Sequence, residues 1–275
     1  MPDATTPATE VNFPTEYLTA LDELFVQESV YSQFFEDGAE FANNKTVMIP
    51  EIVFNGDNKG TRAYNRFATE DTLKVVYTPY ELEKDREKVI YIDAVDNIDT
   101  ANLQAANAMR LWTKEYFVPE YDQYFATSVL AKSGTKATET ITKENVIEQF
   151  RAMRTAMTNA GHTLVDVWVT NAVKYALEDA IQRQFAGESA ISDVVGRYND
   201  FIIHCPGDAR MGGMDFFGIG GGKDTIKGVM KRAASYAFAP GQHTQGDGFL
   251  YQNRWVYGTL GRKNKVAGIY TNKHA

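Results

Sequence analysis

From residue 99 to 133 the chain reads DTANLQAANAMRLWTKEYFVPEYDQYFATSVLAKS, and its apolar positions recur every three or four residues. Ala105, Ala108, Met109, Trp112 and Tyr116 fall on one helical face, and beyond Pro119 the face resumes with Tyr121, Tyr124, Phe125, Ser128 and Val129. Asp99 or Thr100 offers an N-cap oxygen, and Gly134 is a natural stop. Pro119 has no N–H to donate, so a kink or short step is expected at 117–119. A helix of this length spans roughly 50 Å at about 1.5 Å per residue. That exceeds the diameter of a compact small domain, which predicts a spine along an elongated subunit.

Elsewhere the pattern alternates between the two periods. Residues 15–33 predict a helix with Leu18, Leu21, Phe25, Val26 and Val30 along one stripe, followed by an irregular arm that Gly38 interrupts. Residues 45–54 (KTVMIPEIVF) form a β-rich run in which Pro50 argues for an edge strand or a bend. Residues 55–71 are polar and glycine-bearing, as a loop tip is, and 72–93 predict a second long strand or a bent pair. The two runs make a hairpin with little core of its own. Such a hairpin is marginal alone in water and needs a neighbour, which could be another subunit.

Residues 141–160 predict a helix capped by Thr140 or Thr142, with Val146, Phe150, Met153 and Met157 as its buried stripe and Gly161 at its end. Val165, Val167 and Val169 alternate onto one face of a strand at 163–169. A helix at 171–185, a strand within 198–206 and a glycine-rich, Met-bearing loop at 208–222 follow. Residues 225–236 fit helix or strand equally, 241–248 are turns, and 249–272 are β-rich. The fold class expected is α+β.

At 275 residues the chain has room for one or two domains and a sizeable core. A net charge of −8 leaves no electrostatic footprint for nucleic acid. Aromatics are abundant, with 15 Tyr and 16 Phe, and Tyr suits surfaces that are part apolar and part wet, as interfaces are. One cysteine rules out an internal disulfide and points to a reducing compartment. No apolar run reaches the ~18–20 residues of a membrane helix, and MPDATTPATE lacks the pattern of a signal peptide. A cytoplasmic origin is expected.

Catalytic chemistry finds little support. His162, His204, His243 and His274 are scattered, and one cysteine makes a structural zinc site improbable. His204 and Cys205 are adjacent, but neighbours on a strand point to opposite faces. The stretch GIGGGKDT at 218–225 departs from a phosphate loop, since Phe217 stands at the first glycine position and Asp224 follows the lysine. Asp93, Asp96 and Asp99 lack calcium-loop spacing. No catalytic residue, metal or cofactor is expected. The mixed-sign run ELEKDREK at 81–88 reads either as a solvated strand edge or as a set of inter-subunit ion pairs.

Three stretches together resemble the major capsid protein of tailed bacteriophages: YELEKDREKVIYIDAVDNIDTANL at 80–103, EYFVPEYDQYFATSVL at 115–130, and GFLYQNRWVYGTLGRKNKVAGIY at 248–270. The resemblance covers residue 45 to the end. It implies an N-terminal arm at 1–44, an extended hairpin loop at 45–93 and a peripheral domain with the spine helix at 94–160. It further implies an axial domain at 161–248 and closing strands at 249–275.

The implied function is to assemble, through pentamers and hexamers of itself, an icosahedral shell around double-stranded DNA, with DNA contacts weak and non-specific. A separate scaffolding protein is implied, because about 44 residues before the hairpin are too few for a cleaved scaffolding segment. A portal protein is a further implied partner, and no membrane is. The implied location is the virion, with assembly in the bacterial host cytoplasm.

Inter-subunit contacts are expected at the loop tip, from Asn55, Asp57, Asn58, Lys59, Arg62, Tyr64 and Arg66. They are also expected at the loop neck, from Glu81, Glu83, Asp85, Arg86 and Lys88, and in an axial loop, from Met211, Met214, Phe216 and Phe217. Two alternatives stand beside this reading. One is an encapsulin-like compartment shell, although encapsulins begin with a cargo-docking helix that the Thr/Pro-rich start does not resemble. The other is a cytosolic enzyme using the loop at 208–224.

Overall fold

The computed structural model describes residues 29–36, 46–54, 73–94, 109, 111–162, 165–181, 194–198 and 201–274. Its strands are β1 (Phe35–Glu36), β2 (Thr46–Phe54), β3 (Leu73–Glu81), β4 (Lys84–Asp93), β5 (Thr135–Ala137), β6 (Val165–Val169), β7 (Val194–Tyr198), β8 (Phe201–His204), β9 (Phe216–Gly220), β10 (Ile226–Phe238), β11 (Gly248–Gly261) and β12 (Ile269–Asn272). The helices are α1 (Val118–Lys132), α2 (Val146–Asn159) and α3 (Asn171–Ile181), and a π-turn (Thr113–Phe117) leads into α1. Among the described residues no helix is long and apolar enough to cross a membrane.

Six strands form one sheet in the order β5-β12-β9-β6-β8-β7. Side chains alternate across a strand, so one face collects Val167, Val169, Phe201, Ile203 and Phe216 beneath the stripes of α2 and α3. The stripe of α2 is the one expected: Val146, Phe150, Met153 and Met157 are all buried. The opposite face carries Trp168, Phe217, Ile219 and Ile269 and meets Phe125, Ala126 and Val129 of α1. The strand at 165–169 is therefore buried on both sides, and the expectation of a single apolar face misses Trp168.

A second sheet has the order β1-β10-β11-β4. On β11, Tyr251, Trp255 and Tyr257 face Phe117, Val118 and Tyr121. The alternate residues Val256 and Leu260 face the other way and pack with Val47, Ile49, Leu82 and Val229. A separate two-stranded ribbon joins β2 to β3, with Thr46 opposite Glu81 and Phe54 opposite Leu73. Residues 225–236, which fit either period, are strand, because β10 runs antiparallel along β11 from Ile226↔Gly261 to Phe238↔Leu250.

The irregularity expected at 117–119 takes the form of a π-turn just before the proline, and the helix continues through Pro119. The Val118 N–H bonds to the Thr113 carbonyl, five residues back. Pro119 cannot donate to the carbonyl four residues before it and its ring crowds that turn, and the wider π-turn immediately upstream accommodates both facts. The extra residue also resets the buried face. Phe117 and Val118 point inward, while Tyr116, expected on the buried stripe, is 63% exposed. The expected caps Asp99 and Thr100, with Ala105 and Ala108, lie outside the described residues.

Other boundaries shift for local reasons. At the end of α1, Ser133 is already extended, and Gly134 is needed for closeness, because a Cβ there would collide with the Val266 carbonyl. The second helix starts at Val146, where Asn145, rather than Thr140 or Thr142, organises the entry: its side chain accepts from the Thr142 N–H at 2.7 Å and donates to the Thr140 carbonyl at 2.8 Å. Gly161 does end α2, with φ +83° and the His162 N–H returning to the Met157 carbonyl. The region 208–222 is a turn and then β9, a central strand. The helix α2 packs on the six-stranded sheet and β10 lies in the four-stranded one. Of the helix expected at 15–33, residues 15–28 lie outside the described residues, and 29–33 form a turn that leads into a short 3-10 helix (Ser32–Phe34) rather than α-helix.

Phe125 stacks on Tyr31 at 5.1 Å and on Phe34 at 5.4 Å between ring centroids, at the point where α1 crosses onto the six-stranded sheet. Phe125→Ala is expected to destabilise the chain by about 3–5 kcal/mol. In urea titration the midpoint falls while the slope is retained.

Candidate functional site: the hairpin and its charged neck

Val47 and Ile49 on β2 face the four-stranded sheet and are buried. Leu82, at the elbow between β3 and β4, is buried with them, and Gly258 gives it room, since a Cβ there would stand 3.0 Å from Leu82. The Tyr80 hydroxyl donates to the Gly261 carbonyl at 2.9 Å. The base of the hairpin is thus fixed in its own subunit. Its other face is different: Met48, Val75 and Tyr77 are 44%, 48% and 64% exposed. Pairing of Met48 with Pro79 and of Pro50 with Tyr77 makes this an apolar strip across both strands. The expected tip contacts Asn55, Asp57, Asn58, Lys59, Arg62, Tyr64 and Arg66 lie outside the described residues.

The neck follows the alternation of β4. Lys84, Arg86 and Lys88 turn towards the spine. Lys84 lies 5.6 Å from the Tyr124 ring centroid, and Lys88 lies 5.5 Å from that of Trp112. Between them the Arg86 Nε donates to Glu120 Oε1 at 2.7 Å. That hydrogen bond, with the charge of Glu120, raises the Arg86 pKa. The Tyr257 hydroxyl donates to the same oxygen at 3.3 Å, and burial, reinforced by Glu120, pushes its pKa up to about 12. Asp85 points the other way and receives a two-pronged bond from Arg254, Nε to Oδ1 at 2.8 Å and Nη2 to Oδ2 at 2.5 Å. Glu83 accepts from the Tyr124 hydroxyl at 3.1 Å. Glu81 ends β3, exposed.

Glu83, Asp85 and Arg86 have partners inside their own chain, because β4 is the strand that carries the hairpin into the four-stranded sheet and lies against α1. Glu120, Arg254 and Tyr257 complete the neck and were not among the expected residues. The signal was present in KDREK: cations at 84, 86 and 88 and acids at 85 and 87 give a strand one basic and one acidic face.

The expected axial contacts Met211, Met214, Phe216 and Phe217 are buried within the subunit, Phe216 and Phe217 on opposite faces of β9. In the stretch 208–224, Asp224 lies 3.8 Å from Arg262 and 3.6 Å from Lys265. Cys205 sits just past β8, half-buried, with its thiol 3.5 Å from Asn171 Oδ1 and its pKa raised by burial. His204 turns instead to Asp166 at 3.1 Å and stacks on Trp168. Among the described residues no group of three or more His, Cys, Asp or Glu is placed to hold a metal.

Neither a protein-family model nor a curated protein matches the sequence. Solved structures do. The mature capsid of bacteriophage PhiM1 superposes with a TM-score of 0.64 at 10% identity, over 90% of this chain and 87% of that one. The capsid of Ralstonia phage GP4 gives 0.60 at 11% identity, over 90% and 92%. A virus-like particle from Pyrococcus furiosus gives 0.58 at 12% identity, over 96% and 100%. The chain has the phage-capsid fold. Its α+β architecture, with spine helix and hairpin, is the one the resemblance implied, and the phage capsids in this set are structural proteins rather than enzymes.

Both Arg86 and Glu120 are about half exposed, so their pair contributes only about 0–1 kcal/mol. Arg86→Glu is expected to destabilise the unassembled chain by about 1 kcal/mol through like-charge contact with Glu120. Adding Glu120→Arg should recover most of that loss. A double-mutant cycle read by thermal melting checks both.

Proposed function

We propose that the chain is the major capsid protein of a tailed phage, which assembles itself through pentamers and hexamers into an icosahedral shell around double-stranded DNA. The observation that carries this reading is the hairpin: its base is locked into its own subunit, and its outward face is an exposed apolar strip that nothing among the described residues covers. Burying a side chain the size of Met48, Val75 or Tyr77 against a neighbour contributes about 1.5–3 kcal/mol at most. A closed shell repeats that gain at every subunit. The likeness to capsids of phages PhiM1 and GP4 supports the same reading.

In this proposal residues 1–44 are an arm, 45–93 the extended loop, and the two sheets the peripheral and axial parts. The tip residues 55–66 make the inter-subunit contacts, and the neck holds the loop at a fixed angle to the spine. A separate scaffolding protein and a portal protein are its partners during assembly in the host cytoplasm. The DNA meets a chain of net charge −8, so contacts with it are weak and non-specific.

A second reading rests on the Pyrococcus furiosus virus-like particle, whose whole length the match covers. There the chain is an encapsulin-like compartment shell. The contents of purified particles separate the two: double-stranded DNA in one case, a cargo protein in the other.

Replacing residues 56–71 by a short turn is expected to leave a folded, soluble subunit, since the buried anchors Val47, Ile49 and Leu82 are untouched. Shell formation should be lost. Normal shells from the shortened chain, seen by negative-stain microscopy, would sink the assignment of this hairpin as the assembly element.

A further inference from the structure

Asp122 sits on the spine helix with no solvent exposure, yet its carboxyl is held by two segments far from it in sequence. The Ser29 hydroxyl donates to Oδ1 at 2.5 Å and the Val30 N–H to Oδ2 at 3.2 Å. From the turn before β9, Arg210 donates to Oδ2 at 3.1 Å. Beyond Val30, Tyr31 and Phe34 enter the core around Phe125, and the Tyr31 hydroxyl donates to the Arg210 carbonyl at 3.0 Å. Two residues then pair with β10, Phe35 opposite Gly228. Glycine is required there, because a Cβ would stand 2.7 Å from the Phe35 ring and 2.8 Å from the Tyr121 hydroxyl. Residues 29–36 are therefore a short strap, and the carboxyl lies under its first two residues.

We propose that Asp122 is a proton-linked latch for this strap, its carboxyl shared between Ser29, Val30 and Arg210 so that docking of residues 29–36 takes up a proton.

The surroundings fix the direction. Arg210 is the cation facing the carboxyl. Of the nearby acids, Asp208 turns to the Asn171 amide and side chain, and Glu120 turns to Arg86 on the far side of the helix. The strap contributes a hydroxyl and an N–H to the carboxyl, and its one charged residue, Glu36, stands at its far end, paired with Val229 of β10. Burial dominates and raises the carboxyl from 3.8 to about 6, while Ser29, Val30 and Arg210 pull it down by less. When the strap leaves, Asp122 regains water and its pKa returns towards 3.8. The docked form thus holds its proton more tightly than the open one. Docking is strongest below pH 4 and weakens as pH rises through about 6. The latch does not depend on what the chain assembles into, so its failure and that of the shell reading are separate results.

The test is hydrogen exchange of amides 30–36 in the full chain between pH 5 and pH 8, as protection relative to intrinsic rates, with β11 amides as internal control. Wild type should show about tenfold more protection at pH 5 than at pH 8. Asp122→Asn keeps the shape, cannot ionise, and should show strong protection at both. Ser29→Ala removes a donor that favours the ionised form and should move the transition to higher pH, a shift that a purely structural contact would not produce. Equal protection at both pH values in wild type overturns the latch. So does an unchanged pH dependence in Asp122→Asn or, should that variant not fold, an unshifted one in Ser29→Ala.

Discussion

One helix serves two sheets, and that is the constraint the subunit is built around. The N-terminal part of the spine, through Phe117, Val118 and Tyr121, packs on the aromatic row of β11. Its next two turns, through Phe125, Ala126 and Val129, pack on the far face of the six-stranded sheet. A helix can meet both only if its buried stripe keeps phase along its length. The π-turn upstream of Pro119 sets that phase: it brings Phe117 and Val118 inward together and turns Tyr116 to solvent.

The neck follows from the same constraint. Because α1 lies along the four-stranded sheet, the edge strand β4 runs past its flank, and Lys84, Arg86 and Lys88 meet Tyr124, Glu120 and Trp112 in turn. These are half-exposed contacts of small individual energy. Their collective effect is orientation: they hold β4 to the spine, Leu82 pins the elbow, and the ribbon β2–β3 departs at a set angle. The strap at 29–36 closes the opposite flank over Phe125 and Asp122.

Much of this was legible in the residues. The stripe of α2, the β-rich character of the tail that holds β11 and the bent second arm of the hairpin all follow from period and composition. What was not legible depends on tertiary neighbours. Met211 and Met214 look like exposed loop residues in a glycine-rich stretch, yet the core closes over them, since glycines at 212 and 213 take positive φ and fold the turn back onto α1. The neck charges read as free because Glu120, Arg254 and Tyr257 stand between 34 and 171 residues away in sequence, counting from Arg86. The π-turn has no distinct sequence signature, and a proline within a helical pattern ordinarily predicts a break.

The central claim is that the spine makes the two sheets one cooperative body. The three tryptophans allow a direct measurement, because Trp168 lies in the six-stranded sheet and Trp255 in the four-stranded one. Urea unfolding followed by fluorescence in two single-tryptophan variants, one retaining Trp168 and one retaining Trp255, reports each sheet separately. After each variant's own stability is normalised by far-UV circular dichroism, the account predicts that fluorescence and dichroism transitions coincide in both. A Trp168 transition and a Trp255 transition that each part from the dichroism curve would mean that the sheets unfold independently, and would contradict it.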